Sequence, residues 1–267
     1  LCDWRTRFAP LPISIAESPP VRWVNERLLG LDSRRRPPAW ASATFRERLA
    51  KRPASTADSG TTTQPRAFLF NDTFTNFYNP DIGMAGVDVL RTIGRPAALA
   101  PNGCCGRPLI SQGLLAEARE LAARNAAALF PLADRGDRIV FFEPSCLSAV
   151  KEDGPSLLRG DDQRRARRVA EASVLFEEFV DAAWPTTTTL KTGPSTVQLH
   201  GHCHQKAMGL LAPAKALLSR IPGATVVDLN AGCCGMAGSF GYVRDHFDVS
   251  RAIGERRLLP AARARPA

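Results

Sequence analysis

Two short stretches of this chain, NGCCGRPL (102–109) and GCCGMAG (232–238), each carry adjacent cysteines followed at once by glycine. Cys104–Cys105 and Cys233–Cys234 lie 129 positions apart, and the chain has only seven cysteines. This repeated feature constrains the fold more than any other. Adjacent side chains in an extended backbone point apart, so a vicinal thiol pair serves one centre only where the chain turns sharply. Gly106 and Gly235 permit that turn and let the backbone come close to a bulky group.

The spacing invites a test for internal duplication. The apolar run RAFLF (66–70) suits a buried strand, 81–94 has helical spacing ending at Gly94, and 113–133 is a long amphipathic stretch after the first cysteine pair. RIVFF (138–142) is a second buried strand leading into EPSC (143–146), and 165–183 reads as one helix. The order then recurs. TVQLH (196–200) is strand-like, 205–221 mostly helical, TVVDL (225–229) strand-like, and a helical tail follows the second pair from about Tyr242 to Arg257. Strands alternating with helices predict parallel α/β units. The expected fold is therefore α/β, two similar parallel halves spanning 66–184 and 196–262, preceded by an irregular linker over 1–65.

The halves complement rather than copy each other. Cys203 stands 30 positions before Cys233, and its counterpart in the first half falls at position 74, in LFNDTFTNF, where there is no cysteine. Conversely, the counterpart of Cys146 falls beyond the last residue. The first half thus offers Cys104, Cys105 and Cys146, and the second Cys203, Cys233 and Cys234. Cys2, alone in the linker, is not expected to join them.

Three chemistries suit six such thiols. Structural disulfides need an oxidising compartment, for which the sequence gives no sign. Zinc favours four ligands, often in C-x2-C knuckles, and no such spacing occurs. Iron–sulfur ligation, drawing thiolates from well-separated loops, fits best. Thiol–disulfide chemistry at a vicinal pair would instead require an accessible cysteine of low pKa. In HGHCH (200–204), His202 and His204 flank Cys203 and are expected to cap the helix and hydrogen-bond around the sulfur. Arg107 and Lys206 could offset thiolate charge, and Asp72 or Thr73 could supply an oxygen ligand.

Composition sets the remaining limits. A 267-residue chain that is 44% hydrophobic can bury a substantial core. No apolar run approaches a membrane span. The opening LCDWRTRFAPLP has no secretory pattern, and its initial Leu suggests a piece of a longer polypeptide. The net charge of +9 is mostly arginine, without aromatic interleaving, so nucleic acid is not expected. An acidic redox partner fits the charge as well.

FLFNDTFTNFYNPDIGMAGVDVLRTIG (68–94), NGCCGRPLISQGLLAEAR, EPSC, LHGHCHQKA and CCGMAGSFGY, in that order, resemble the cysteine-rich (CCG) domain pair of Fe–S oxidoreductases. The nearest resemblance is to the C-terminal region of FAD-linked D-2-hydroxyacid (D-lactate type) dehydrogenases. Related are the cysteine-rich part of heterodisulfide reductase and the iron–sulfur subunits of glycolate oxidase and anaerobic glycerol-3-phosphate dehydrogenase. The resemblance covers about residues 66–262. It implies a 4Fe–4S or noncubane cluster on Cys104, Cys105, Cys146, Cys203, Cys233 and Cys234, with Gly106, Gly235, Arg107, His202 and His204 around it. FAD and the substrate would be bound on upstream sequence, and upstream flavin and ferredoxin-like domains or subunits would be partners. Electrons would pass to a quinone, cytochrome or thiol acceptor, in the cytoplasm or at the inner face of the membrane. Several relatives have Gly-Cys where this chain has Asp72-Thr73, and a trailing C-x2-C is reduced here to Cys146. The incomplete set in each half favours one site shared by both. A structural zinc or redox-sensing metal domain is the alternative.

Overall fold

A computed structural model of the protein describes residues 18–52 and 65–264. Cys2 and nearly all of the low-complexity stretch at 54–65 lie outside these residues.

Two helices precede the first strand, α1 (Pro19–Leu29) and α2 (Phe45–Ala50). Residues 18–52, expected to be part of an irregular linker over 1–65, instead pack against both halves. Thr44 and Glu47 cap α2 reciprocally, with Oγ1 of Thr44 accepting from Glu47 N at 3.1 Å and Oε2 of Glu47 from Thr44 N at 2.8 Å. This aims Phe45, 1% exposed, into the core of the first half. Residues 30–35 strap the second half instead: Asp32 N donates to Tyr242 O and Arg244 N to Gly30 O. The prolines and arginines that suggested a connector here serve as helix starters and surface anchors.

The first half runs β1 (Ala67–Leu69), α3 (Thr73–Phe77), α4 (Pro80–Thr92), β2 (Ala97–Leu99), α5 (Arg107–Ser111), α6 (Leu115–Asp134), β3 (Arg138–Phe141) and α7 (Pro144–Ser148). A π-helical turn at Ala149–Asp153 leads to α8 (Gly154–Leu157), α9 (Gly160–Ala172), β4 (Ser173–Leu175) and α10 (Phe176–Ala183). The single helix expected over 165–183 is therefore two, split by β4. All four strands are parallel in the order β2-β1-β3-β4, with Leu69 opposite both Leu99 and Val140, and Val140 opposite Val174. Apolar runs such as Ala67–Leu69 are buried throughout because helices cover both faces. Phe70 and Phe141 stack at 4.5 Å in one layer, and Phe45, Val87 and Leu90 fill the other. On α6 the buried positions Ala118, Asn125, Ala126, Leu129, Leu132 and Ala133 follow the helical period and face α9 and β3.

The second half runs β5 (Thr196–Leu199), α11 (Cys203–Ala207), α12 (Leu211–Leu218), β6 (Thr225–Asp228), α13 (Phe247–Glu255) and α14 (Leu258–Arg263). β5 and β6 form a parallel two-stranded sheet. Its elements begin 128 to 132 residues after β1, β2, α3, α4 and α6, so the duplication read from the cysteine pairs extends to the secondary structure. Among the described residues this half has no counterpart of β3 and β4. The architecture is the expected α/β fold with two repeated parallel units.

Candidate metal centre

Parallel α/β sheets present their loops at the carboxyl ends of the strands, where ligands bind beside the point at which strand order reverses. All six predicted cysteines lie there. Cys104 and Cys105 follow β2, Cys146 follows β3 as the third residue of α7, Cys203 follows β5 as the first residue of α11, and Cys233 and Cys234 follow β6. In the larger sheet the chain leaves β1 toward β2 and returns on the other side as β3. The crevice between those two loops is the switch point.

The first cysteine loop is held by two asparagines. Asn125 Oδ1 accepts from Gly103 N at 2.8 Å while its Nδ2 donates to Cys104 O at 2.8 Å. Asn102 accepts from Asn71 N at 3.0 Å and ties this loop to the end of β1. Gly106 turns the chain at φ 87° and opens α5, as the sequence predicts. The Cys105 thiol interacts with those of both Cys104 and Cys146, and Cys105 and Cys146 are buried. Contact with Cys105, followed by burial, pushes the Cys104 thiol far above the usual range. For Cys105, contact with Cys104 acts downward, but contact with Cys146 and burial win, and its pKa is pushed up to about 12. The Cys104 and Cys105 thiols therefore resist ionisation unless a cation offsets their charge. Such a donor set suits a metal and disfavours a reactive, low-pKa nucleophile.

The second loop is more open. Cys203 and Cys233 are exposed, and Cys234 is half-buried. Gly235 repeats the left-handed turn at φ 85°, and its N–H donates to Cys233 Sγ at 3.3 Å. Lys206 Nζ donates to Gly232 O at 2.7 Å, linking the Cys203 helix to this loop. Arg35 reaches Met236 Sδ at 2.8 Å and Ser250 Oγ at 3.2 Å, so the N-terminal strap also braces it.

The halves meet along a polar seam. His204 Nδ1 lies 2.7 Å from Ser148 Oγ, and Arg107 donates through Nη2 to Ser148 Oγ and Asp153 Oδ2, both at 2.6 Å. His202 caps α11, accepting from His204 N at 3.2 Å through Nδ1; that same nitrogen is 3.9 Å from Cys203 Sγ. Its Nε2 lies 3.6 Å from Glu143 Oε1. Burial, then the Arg107 cation, lowers the His204 pKa, so the imidazole stays neutral at physiological pH. His202 thus caps the Cys203 helix, and His204 braces it against Ser148. Arg107, expected to offset thiolate charge, has its guanidinium on Asp153 while its backbone lies against the Cys105 thiol. Asn125, Glu143, Ser148 and Asp153 were not anticipated. A lone asparagine on the buried, alanine-rich face of α6, and an acid just past β3, were the available signals for the first two.

Among the described residues, no group of three or more His, Cys, Asp or Glu side chains is arranged to hold a single metal ion. A cluster places its ligands differently, since thiolates that bind different irons do not converge on one point. The crowded thiols of Cys104, Cys105 and Cys146 fit such a group.

Residues 74–151 and 197–266 match the CCG family, described as the cysteine-rich domain. The chain belongs to this family. The CCG match recurs once in each half and takes in all six cysteine positions. Over 251 residues the chain is 28% identical to one of the subunits of anaerobic glycerol-3-phosphate dehydrogenase from Escherichia coli K12, covering 93% of this chain and 62% of that protein. It is 27% identical over 195 residues to D-2-hydroxyglutarate dehydrogenase of Pseudomonas putida, covering 70% of this chain and 18% of that protein. It is also 28% identical over 178 residues to lactate utilization protein A of Anoxybacillus flavithermus, covering 64% and 73%. The chain thus spans less than two thirds of the glycerol-3-phosphate dehydrogenase polypeptide to which it aligns over almost its whole length. No solved structure matches it significantly.

Proposed function

We propose that this CCG chain is the iron–sulfur electron-transfer part of an FAD-linked oxidoreductase acting on a 2-hydroxy acid such as D-lactate, glycolate or D-2-hydroxyglutarate. The carrying observation is the placement of all six cysteines at the carboxyl ends of parallel strands, with the Cys105 thiol against those of Cys104 and Cys146. Relatives named as dehydrogenases or dehydrogenase subunits support the redox assignment.

Cys104, Cys105, Cys146, Cys203, Cys233 and Cys234 would hold a single iron–sulfur cluster of 4Fe–4S or noncubane type, shared between the halves. When bound, the cluster supplies reversible one-electron chemistry. The chain's share is positioning. Asn125 and Asn102 hold the first loop, while Lys206 and Arg35 hold the second. The Arg107–Ser148–His204 seam sets their separation, and burial of Cys105 and Cys146 keeps water off one side. Gly106 and Gly235 bring backbone close, and N–H donation to a ligand sulfur, already present from Gly235 to Cys233, raises reduction potential. FAD and the substrate would be bound by upstream flavin and ferredoxin-like domains or subunits. The acceptor would be a quinone, cytochrome or thiol in the cytoplasm or at the inner membrane face. Among the described residues no helix is long and apolar enough to cross a membrane.

EPR of the anaerobically purified protein, before and after dithionite, tests the reading. A signal that appears or vanishes on reduction and reverses on reoxidation is expected. A protein that binds metal yet shows no redox-dependent change by EPR or absorption would leave a structural metal domain instead.

A further inference from the structure

The helix that carries Cys203 belongs to the second half by sequence and to the first by contact. α11 is five residues long, too short to hold itself, and the sheet behind it has only two strands, both half-exposed. What holds it comes from across the seam. α11 packs on α7, the helix of Cys146, and Met208 and Leu210 just past its end lie against the buried cluster that includes Cys105 and Cys146. Two side chains of α11 complete the grip, His204 on Ser148 and Gln205 on Glu177.

Gln205 is 4% exposed, and a buried amide needs partners at both of its ends. Its Nε2 donates to Glu177 Oε1 at 3.0 Å, and its Oε1 accepts from His202 N at 3.3 Å. Glu177 is the second residue of α10, directly after β4, the edge strand of the larger sheet. His202 is the cap that immediately precedes Cys203. One side chain thus runs from the first half to the backbone one residue away from a thiol. The neighbouring Glu178 is engaged within its own half, accepting from Leu175 N at 2.8 Å, which leaves Glu177 to reach across. Because Ser148 and Glu177 take hold of α11 from two different elements, they fix its rotation as well as its distance.

Resting on the iron–sulfur reading, we infer that Gln205 and Glu177 are a positioning pair that sets the Cys203 thiol in register with Cys105 and Cys146, the buried thiols of the first half. Both act through the backbone of His202 and Cys203. Gln205→Leu removes the partner of Glu177 Oε1 and of His202 N together, and Glu177→Ala removes the partner of a buried amide nitrogen. Either change loosens the turn that presents Cys203 while the first half keeps its own thiols in place. The pair supplies to α11 the support that the small second sheet does not.

The test compares the anaerobically purified parent with Gln205→Leu, Glu177→Ala and Glu177→Gln. It reads how fast a chelator, bathophenanthroline disulfonate, removes iron, and the EPR spectrum of the reduced protein. Glu177 is only partly buried, so its variants fold even where thermal melting shows that Gln205→Leu does not. Gln205→Leu and Glu177→Ala are expected to lose iron about 10- to 100-fold faster than the parent, the usual effect of removing a group that orients a ligand, and to show a changed spectrum. Glu177→Gln keeps an acceptor oxygen for Gln205 and should restore the parent's behaviour. Glu177→Ala with the parent's iron retention and spectrum would overturn the inference alone, as would a Glu177→Gln as labile as Glu177→Ala. A parent that holds no iron would sink it together with the function on which it rests.

Discussion

The two halves share one plan and differ in how firmly they hold it. In the first, four strands flanked by helices bury Cys105 and Cys146, and asparagines clamp the cysteine loop from inside the fold. In the second, a two-stranded sheet leaves Cys203 and Cys233 exposed, and the loop depends on contacts from Lys206 and from the N-terminal strap. The repeat conserves where the thiols emerge; the amount of sheet beneath them determines how rigid and dry the emergence is. On the proposed function, the first half, where only Cys104 is exposed, is suited to fixing a centre, and the more open second half to meeting an electron-transfer partner.

The matched glycines give the sharpest way to break this comparison. Both sit in the left-handed region, but a Cβ on Gly235 would lie 2.1 Å from Ser250 O, whereas one on Gly106 meets nothing closer than 3.9 Å. Gly235→Ala should cost about 3 kcal/mol, conformation and clash together, against about 1 kcal/mol for Gly106→Ala. Urea unfolding of the two variants checks it, and equal costs would show that the second loop yields as easily as the first. Next in size is the seam. Ser148→Ala leaves Arg107 and His204 short of a partner at a buried position, and should cost about 2 kcal/mol. It should also speed proteolysis of the second half relative to the first.

The smallest effect concerns the strap. Arg34 donates to Asp32 through its side chain and its backbone, and holds the Asp32 carboxyl below the usual range. A depressed folded pKa means that the stabilisation is present above the ordinary carboxylate pKa and is lost as pH falls through the folded value. Asp32→Asn should therefore cost about 1 kcal/mol at pH 7, discounted because Arg34 is half exposed, and almost nothing at strongly acidic pH. A cost that stays constant with pH would show that the ion pair does not anchor the strap.

Much of the scaffold was legible because its signals are local. Buried apolar runs mark β1 and β3, the strand-like stretches TVQLH and TVVDL mark β5 and β6 although these stay half-exposed, and the cysteine spacing marks the repeat. β4 was missed because Ser173–Leu175 sits between two amphipathic stretches, and only pairing with β3 makes it a strand. β2 was hidden in an alanine-rich segment of weak strand preference. Residues 18–52 were read as a connector because proline and arginine suggest exposure, whereas the anchoring contacts of Phe45, Asp32 and Arg35 are made to distant parts of the chain. The same reason separates the site residues found from those missed. Cysteines announce themselves by type and spacing. Asn125, Ser148 and Asp153 join the site through partners 21 to 56 residues away, which no local pattern records.

The most direct test of the shared cluster is iron, acid-labile sulfide and zinc content of the anaerobically purified protein, measured for the parent and for Cys105→Ser and Cys203→Ser. One centre spanning both halves predicts iron and sulfide in similar amounts in the parent and the loss of most of both in either variant. Stoichiometric zinc in place of iron, or iron lost from only one half in each variant, would contradict it.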